Sequence, residues 1–490
     1  MQSQLSQWKR RRLAEEDAGA DRVSVALRQG LVLQISAWPP STIQQHMKAL
    51  TFQPHSTFDA GAGAPPPSPV CCYSVEGDQL LLPRNYKGLP WASVKEELAE
   101  GAPCAFSFSA TLNPLQAQAL SKSLDCLAQA PYACILTLPC GFGKTVVALA
   151  LLEKVGRKTL VVVHKESLML QWRERIQAFL PGSRVGIVQQ KRDDLETSDI
   201  CICMLQTLCT KALDPEHLAS FGLVVLDEAH HMAAQFFSRL FFRLPCKRIL
   251  GLTATPKRKD GCSNVLHLFM GPFSFQVSSR SDAEVTVYSR HWRNAFQITG
   301  DVSNAQVQKL KGRVAQDAVR NGYILDLCRK ALTHGRTVIC LSERLKHLEV
   351  LHEAWCTSEP GAELLAAKFV GGNSRSNLAE RTRAEATARV IFASSAMAAE
   401  GLDIPRLDTL ILASPMGDIT QAVGRILRPC SEKQPPVILD FRDDGCQAFL
   451  RLARTRLACY QRQAFRVLLD EEPEFGGSDD GGVVCVEAPA

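Results

Sequence analysis

The feature that most constrains this chain is an alternation that occurs twice along it. Short apolar, β-branched runs at 133–138, 159–164, 200–205, 223–226 and 248–252 are separated by amphipathic segments such as 146–154 and 168–179. A second series runs at 338–341, 390–393, 409–413 and 437–440, with segments such as 344–355 and 419–427 between its members. Continuous apolar runs suit strands buried on both faces, and parallel neighbours need a long crossover, usually a helix. The pattern predicts an α/β protein with two tandem domains, each a parallel sheet flanked by helices.

The remaining segments set the expected boundaries. Residues 1–105 carry no sustained period and read as an N-terminal extension with a short strand pair around 22–38 and a Gly/Pro-rich linker from Gly61 to Pro67. The two α/β domains are expected at 106–272 and 314–445, with the polar stretch 273–313 linking them. A C-terminal helix over 446–469 and an acidic tail complete the chain.

Charge is unevenly placed. From Asp470 to Ala490 there are seven acidic residues and no Lys or Arg, so of the net +6 of the 490 residues, residues 1–469 carry +13. A basic body suits a polyanionic partner, and a Gly-rich acidic tail is expected to be disordered. No apolar stretch approaches the roughly 18 residues that cross a bilayer. The basic cluster Lys9–Arg12 lacks the apolar run of a secretory signal. The chain therefore reads as soluble and intracellular, cytoplasmic or nuclear, with no membrane partner. Its 18 cysteines include no C-x-x-C pair, so they read as buried thiols such as Cys134, Cys340 and Cys459 rather than zinc ligands.

Chemistry concentrates at the ends of these runs. Leu138-Pro139-Cys140-Gly141-Phe142-Gly143-Lys144-Thr145 follows the first strand and opens a helix, the context of a phosphate-binding loop. Gly141 and Gly143 permit the tight turn that aims successive amides at phosphate oxygens. Lys144 is expected to reach the β and γ phosphates of ATP, and Thr145 to hold Mg²⁺. Leu138 stands where the strict pattern has its first glycine. Asp227 and Glu228, in Leu226-Asp227-Glu228-Ala229-His230-His231, end an apolar run. There Asp227 suits Mg²⁺ and Glu228 suits the activation of a water. Gly251 to Pro256 ends the next run with two threonines. In the second series, Glu400-Gly401-Leu402-Asp403-Ile404-Pro405 lies between strands, and Gln421 to Arg428 opens a helix that would carry Arg425 and Arg428 on one face, suited to a polyphosphate.

In this order and spacing the motifs resemble those of superfamily 2 helicases of the DExH type. Within them the chain is most similar to XPB-like and UvsW-like DNA helicases and the related helicases of large DNA viruses and phages. The resemblance spans about 110–445 and extends to Leu112-Asn113-Pro114-Leu115-Gln116, to 161–172, to Met204-Leu205-Gln206-Thr207 and to Cys340-Leu341-Ser342-Glu343-Arg344. It implies two RecA-like domains with ATP between them, contacts from Gln116, Pro139–Thr145, Gly401 and Asp403, and catalysis by Lys144, Asp227, Glu228, Arg425 and Arg428. It also implies that 161–172 contacts the nucleic acid and that movement runs 3′ to 5′. The DEAH sequence, and Gln421 where DEAD-box RNA helicases carry His, favour single-stranded or forked DNA over RNA. Residues 1–105 match no helicase motif and are expected to engage protein partners of a replication, repair or transcription machinery.

The alternatives are an RNA helicase or RNA-dependent ATPase, a catalytically silent helicase-like binding subunit, and a restriction-type subunit with a nuclease. The full set of candidate catalytic residues opposes the silent subunit. No paired-carboxylate-plus-lysine cluster outside the helicase motifs supports the nuclease.

Overall fold

The computed structural model describes residues 25–475, except 55–67, 90–93, 140, 190–191, 230–238, 255–262, 278–283, 301, 359–360, 372–374, 401, 403, 429 and 431–432. Two large sheets organise it. The first has the order Arg192–Asp193, Val185–Gln189, Ile200–Met204, Thr159–Val163, Leu223–Leu226, Arg248–Thr253, Ala133–Thr137, Phe273–Gln276. Every neighbouring pair is parallel except the antiparallel edge pair made by Arg192–Asp193. Ala133–Thr137, Thr159–Val163 and Leu223–Leu226 are buried at every position, as apolar runs without alternation require.

The second sheet, in the order Ala366–Phe369, Val390–Ser394, Val338–Ser342, Thr409–Leu412, Val437–Asp443, Thr286–Trp292, Arg466–Leu469, is wholly parallel. Helices Ala318–Thr333, Leu345–Cys356 and Gln447–Arg462 pack on it through apolar stripes. Two tandem RecA-like α/β units are thus present. Cys134, Cys340 and Cys459 are buried free thiols within these cores.

Three expectations need correction. The stretch 273–313 is not a plain connection: Phe273–Gln276 joins the first sheet, and Thr286–Trp292 lies inside the second, between Val437–Asp443 and Arg466–Leu469. The helix expected over 446–469 ends at Arg462, and Arg466–Leu469 is a strand. The start of the acidic tail is not disordered. Asp470 accepts from the His291 amide and pairs with Arg442, and Glu472 pairs with Arg290. The carbonyl of Pro473 accepts from Lys330 Nζ at 2.7 Å, and Phe475 is 2% exposed beside Arg336. Residues 476–490, with the remainder of the tail, lie outside the described residues, as do Lys9–Arg12 and the linker Gly61 to Pro67.

Truncation after Leu469 should therefore destabilise the second unit, because deleting a buried aromatic side chain alone costs about 3 kcal/mol. Denaturant unfolding checks this. An unchanged midpoint would mean that residues 470–475 add nothing to the core.

The N-terminal residues form a five-stranded sheet, Ser74–Glu76, Gln79–Leu82, Leu31–Gln34, Val25–Leu27, Val94–Glu96, which includes the expected strand pair. It packs on the first unit: Leu31, Leu33 and Leu82 share a core with Phe241, Phe242 and, from helix Ser263–Met270, Phe269. Arg84, 2% exposed, donates to the carbonyls of Lys247 and Cys246 across that junction. Among the described residues no helix is long and apolar enough to cross a membrane.

Candidate active site

Strand order brings the candidate residues of the first unit to one edge. Ala133–Thr137, which leads into the glycine loop, is separated from Leu223–Leu226 by the single strand Arg248–Thr253. Thr137 pairs in register with Thr253, and Leu226 with Gly251, so the three strands end at nearly the same level. Ligands of open parallel sheets bind beyond such carboxyl ends.

The loop turns through two left-handed glycines, Gly141 at φ +87° and Gly143 at φ +80°, and Gly143 caps the helix Lys144–Val155. The left-handed φ at Gly143 favours glycine, and a Cβ there would lie 2.5 Å from Gln116 Nε2, so that amide would have to leave the loop. Gln116 completes a capping box with Asn113 at the start of helix Pro114–Leu127 and donates to the Phe142 carbonyl at 3.2 Å. Its amide is thus fixed against the loop. Leu138 is fully buried, and its carbonyl accepts from Lys144 Nζ at 3.3 Å. Pro139 accepts from the Phe142 amide at 3.3 Å, and Thr145 stands in the first turn of the helix. Cys140 lies outside the described residues. The loop amides, the helix N-terminus and the Lys144 ammonium are groups that attract a polyphosphate.

Beyond the adjoining strand ends, Asp227 is 6% exposed and Glu228 takes φ +46°. Glu228 Oε1 stands 3.9 Å from Lys144 Nζ. Burial, reinforced by the neighbouring Glu228 charge, pushes the Asp227 carboxyl up to about 6. Trp172, Lys144 and the Glu228 amide act in the opposite direction. A carboxylate beside a hydroxyl-bearing helix start is a hard oxygen donor set, which suits Mg²⁺. Asp227 and Thr145 would hold it. His230, His231, Thr255 and Pro256 lie outside the described residues.

Trp172 joins the site without a sequence motif that marks it as a partner of Asp227. It is 1% exposed on helix Glu166–Phe179, and its indole N–H donates to Asp227 Oδ2 at 2.8 Å. Its segment is expected from the resemblance to contact nucleic acid, yet this side chain turns inward. The buried stripe Leu168, Trp172, Ile176 predicts an inward ring at helical spacing. Nothing in the spacing reveals that its partner is Asp227.

The second unit reaches the same loop. A Cβ on Gly141 would lie 3.1 Å from Arg428 Cγ and 3.3 Å from the Gly424 carbonyl oxygen, so the segment 424–428 lies directly on the glycine loop. The expected helical pairing of the two arginines does not hold. Helix Thr420–Ile426 ends before Arg428, which lies in the following bend, so the arginines do not share a helical face. Arg425 donates to the Ala398 carbonyl of its own unit at 2.9 Å, while Arg428 lies against the first unit. Gly401 and Asp403 lie outside the described residues. Leu402 and Ile404, between and beyond them, are core residues of the second unit.

Residues 109–258 match the family described as Type III restriction enzyme, res subunit. The "Putative ATP-dependent RNA helicase L396" of Acanthamoeba polyphaga mimivirus is 29% identical over 368 residues, 74% of this chain and 70% of the relative. "Probable helicase D10" of Escherichia phage T5 is 26% identical over 342 residues, 68% and 73% of the two chains. A fragment of a putative HsdR subunit of a type I restriction enzyme from Vibrio vulnificus superposes with a TM-score of 0.55 at 17% identity. That match covers 74% of this chain and 70% of the fragment.

Proposed function

From the membership of this chain in the superfamily 2 helicases, related to those of viruses and phages, we propose that it is an ATP-driven translocase on DNA whose ATP site is completed by both units. Helicases of this kind bind nucleic acid and use ATP; the choice of DNA, the residue roles and the direction of movement are our reading. The observation that carries it is the placement of Arg428 and Gly424, from the second unit, against Gly141 of the phosphate loop in the first.

The amides of 141–145 and the Lys144 ammonium would bind the phosphates, with Gln116 beside the loop as the contact for the base. Thr145 and Asp227 would hold Mg²⁺, which supplies charge neutralisation at the phosphate oxygens. Glu228 would orient the attacking water and take its proton at a carboxylate oxygen. Arg428, with Arg425 in support, would counter charge on the γ-phosphoryl group as bonds break. Gly401 and Asp403 are proposed to contact the nucleotide from the second unit. Because two units share the site, hydrolysis and product release change how they fit together. Opening and closing in turn would move the units along a strand, 3′ to 5′ by the resemblance.

DNA is supported by the DEAH sequence, by Gln421 and by the match to a restriction-enzyme family. RNA is the second reading, favoured by the name of the mimivirus relative. ATP hydrolysis measured side by side with single-stranded, duplex and forked DNA and with RNA decides between them. Single-stranded or forked DNA should stimulate most, and stimulation by RNA alone would overturn the DNA reading. We further propose that residues 1–105, whose described part includes a sheet on the first unit, serve protein partners.

Polynucleotide binding should weaken steeply with salt, since neutralised phosphates release counterions. A protein making six or more phosphate contacts loses roughly 10³-fold in affinity between 50 and 200 mM salt. Fluorescence anisotropy across that range checks it. A flat salt response would remove the phosphate backbone from the account.

A further inference from the structure

The hydrogen bond between Trp172 and Asp227 carries an inference that rests on the nucleotide-site reading above and goes beyond it. Asp227 is held from three directions by its own unit. Its amide donates to the Val162 carbonyl at 3.0 Å, Oδ1 accepts from the Glu228 amide at 2.9 Å, and Oδ2 accepts from Trp172 Nε1 at 2.8 Å. The first and third of these come from one strand–helix unit, since Val162 lies on Thr159–Val163 and Trp172 on the helix Glu166–Phe179 that follows it.

The terminal torsion of an aspartate has a broad, roughly two-fold profile, so the carboxylate plane is not set by the backbone. One donor on each oxygen sets it. The indole itself cannot swing: Trp172 is 1% exposed and packs in the core with Leu168, Met169, Ile176 and Val163. Tryptophan offers a single donor and no acceptor, so its bond has one sense.

We propose that Trp172 is a positioning residue for Asp227, fixing the carboxylate plane in which this side chain meets the metal of a metal–ATP complex. Partners that orient a metal-binding side chain are typically worth ten- to a hundredfold in metal affinity. Trp172 touches neither nucleotide nor water in this role; it acts through Asp227 alone.

The test uses full-length protein and a fluorescent ATP analogue, with nucleotide affinity measured in EDTA and across a Mg²⁺ titration. Trp172→Phe keeps the aromatic packing and removes the N–H. It should leave affinity in EDTA within about twofold of wild type and raise the Mg²⁺ midpoint about tenfold or more. In an Asp227→Asn background the same substitution should shift the midpoint no further, because its effect runs through the carboxylate. A wild-type midpoint in Trp172→Phe, or an equal shift in both backgrounds, would overturn the proposal. If Asp227→Asn alone leaves the midpoint unchanged, the nucleotide-site reading fails instead. Should Trp172→Phe not fold, fluorine NMR of wild-type protein labelled with 5-fluorotryptophan decides. One tryptophan resonance should shift with ATP plus Mg²⁺ and not with ATP alone, and no such shift would overturn the proposal.

Discussion

Arg428→Ala should slow ATP hydrolysis by roughly 10³-fold, the lower bound for removing an arginine supplied to a phosphoryl-transfer site. ATP binding should survive largely intact. The phosphate loop, Lys144 and Asp227, the groups proposed to hold the nucleotide, all belong to the first unit. What they leave uncountered is charge that develops on the γ-phosphoryl group, which is best met by a cation positioned in advance. Arg428 lies across the loop at Gly141. Arg425, tied by its Nε to the Ala398 carbonyl, should give a smaller loss when replaced by alanine. Nucleotide affinity and turnover, measured separately on polynucleotide-saturated protein, check this. Normal turnover in Arg428→Ala would remove the second unit from the chemistry.

The other large effects belong to the first unit. Lys144→Ala should abolish hydrolysis, since its ammonium, at the helix start and 3.9 Å from Glu228, is proposed to bind the terminal phosphates. Glu228→Gln should bind ATP and turn over roughly 10² to 10⁴ times more slowly, because an amide cannot accept the proton of the attacking water. Single-turnover hydrolysis with bound nucleotide quantified beforehand separates the two variants. Wild-type turnover in both would dismiss the assignment of this site.

The parts of the fold that are legible in the sequence are those where one physical cause dominates. Ala133–Thr137 and Leu223–Leu226 are buried on both faces, so their apolar runs announce strands, and the glycine loop and acidic pair follow at strand ends. Thr286–Trp292 reads as part of a connection because Ser289, Arg290 and His291 give it a polar look, although it lies within the second sheet. Its burial comes from neighbours remote in sequence, Val437–Asp443 and Arg466–Leu469, which no local pattern displays. The N-terminal sheet was mostly illegible for a related reason: its strands are only three or four residues long, too short to show a period.

Arg428 shows the same limit at the site. Its spacing from Arg425 suggested a shared helical face, but the helix stops at Ile426. Docking of one unit on the other, rather than helical periodicity, sets where its side chain goes. Asp470, Glu472 and Phe475 read as the start of a solvated tail, yet Arg442 and Arg290 on the second sheet, and Arg336 just before the strand Val338–Ser342, bind them. Acidic composition alone does not reveal such partners.

Hydrolysis at a site shared by two units is proposed to drive movement along a strand. Displacement of streptavidin from biotinylated single-stranded DNA tests it most directly, with the label at either end and ATP turnover followed in the same reaction. The wild-type chain should displace streptavidin from the 5′ end in an ATP-dependent manner, and Arg428→Ala should not, although that variant still binds ATP and DNA. Displacement by Arg428→Ala at the wild-type rate, or brisk hydrolysis by the wild-type chain with streptavidin left in place at both ends, would contradict it.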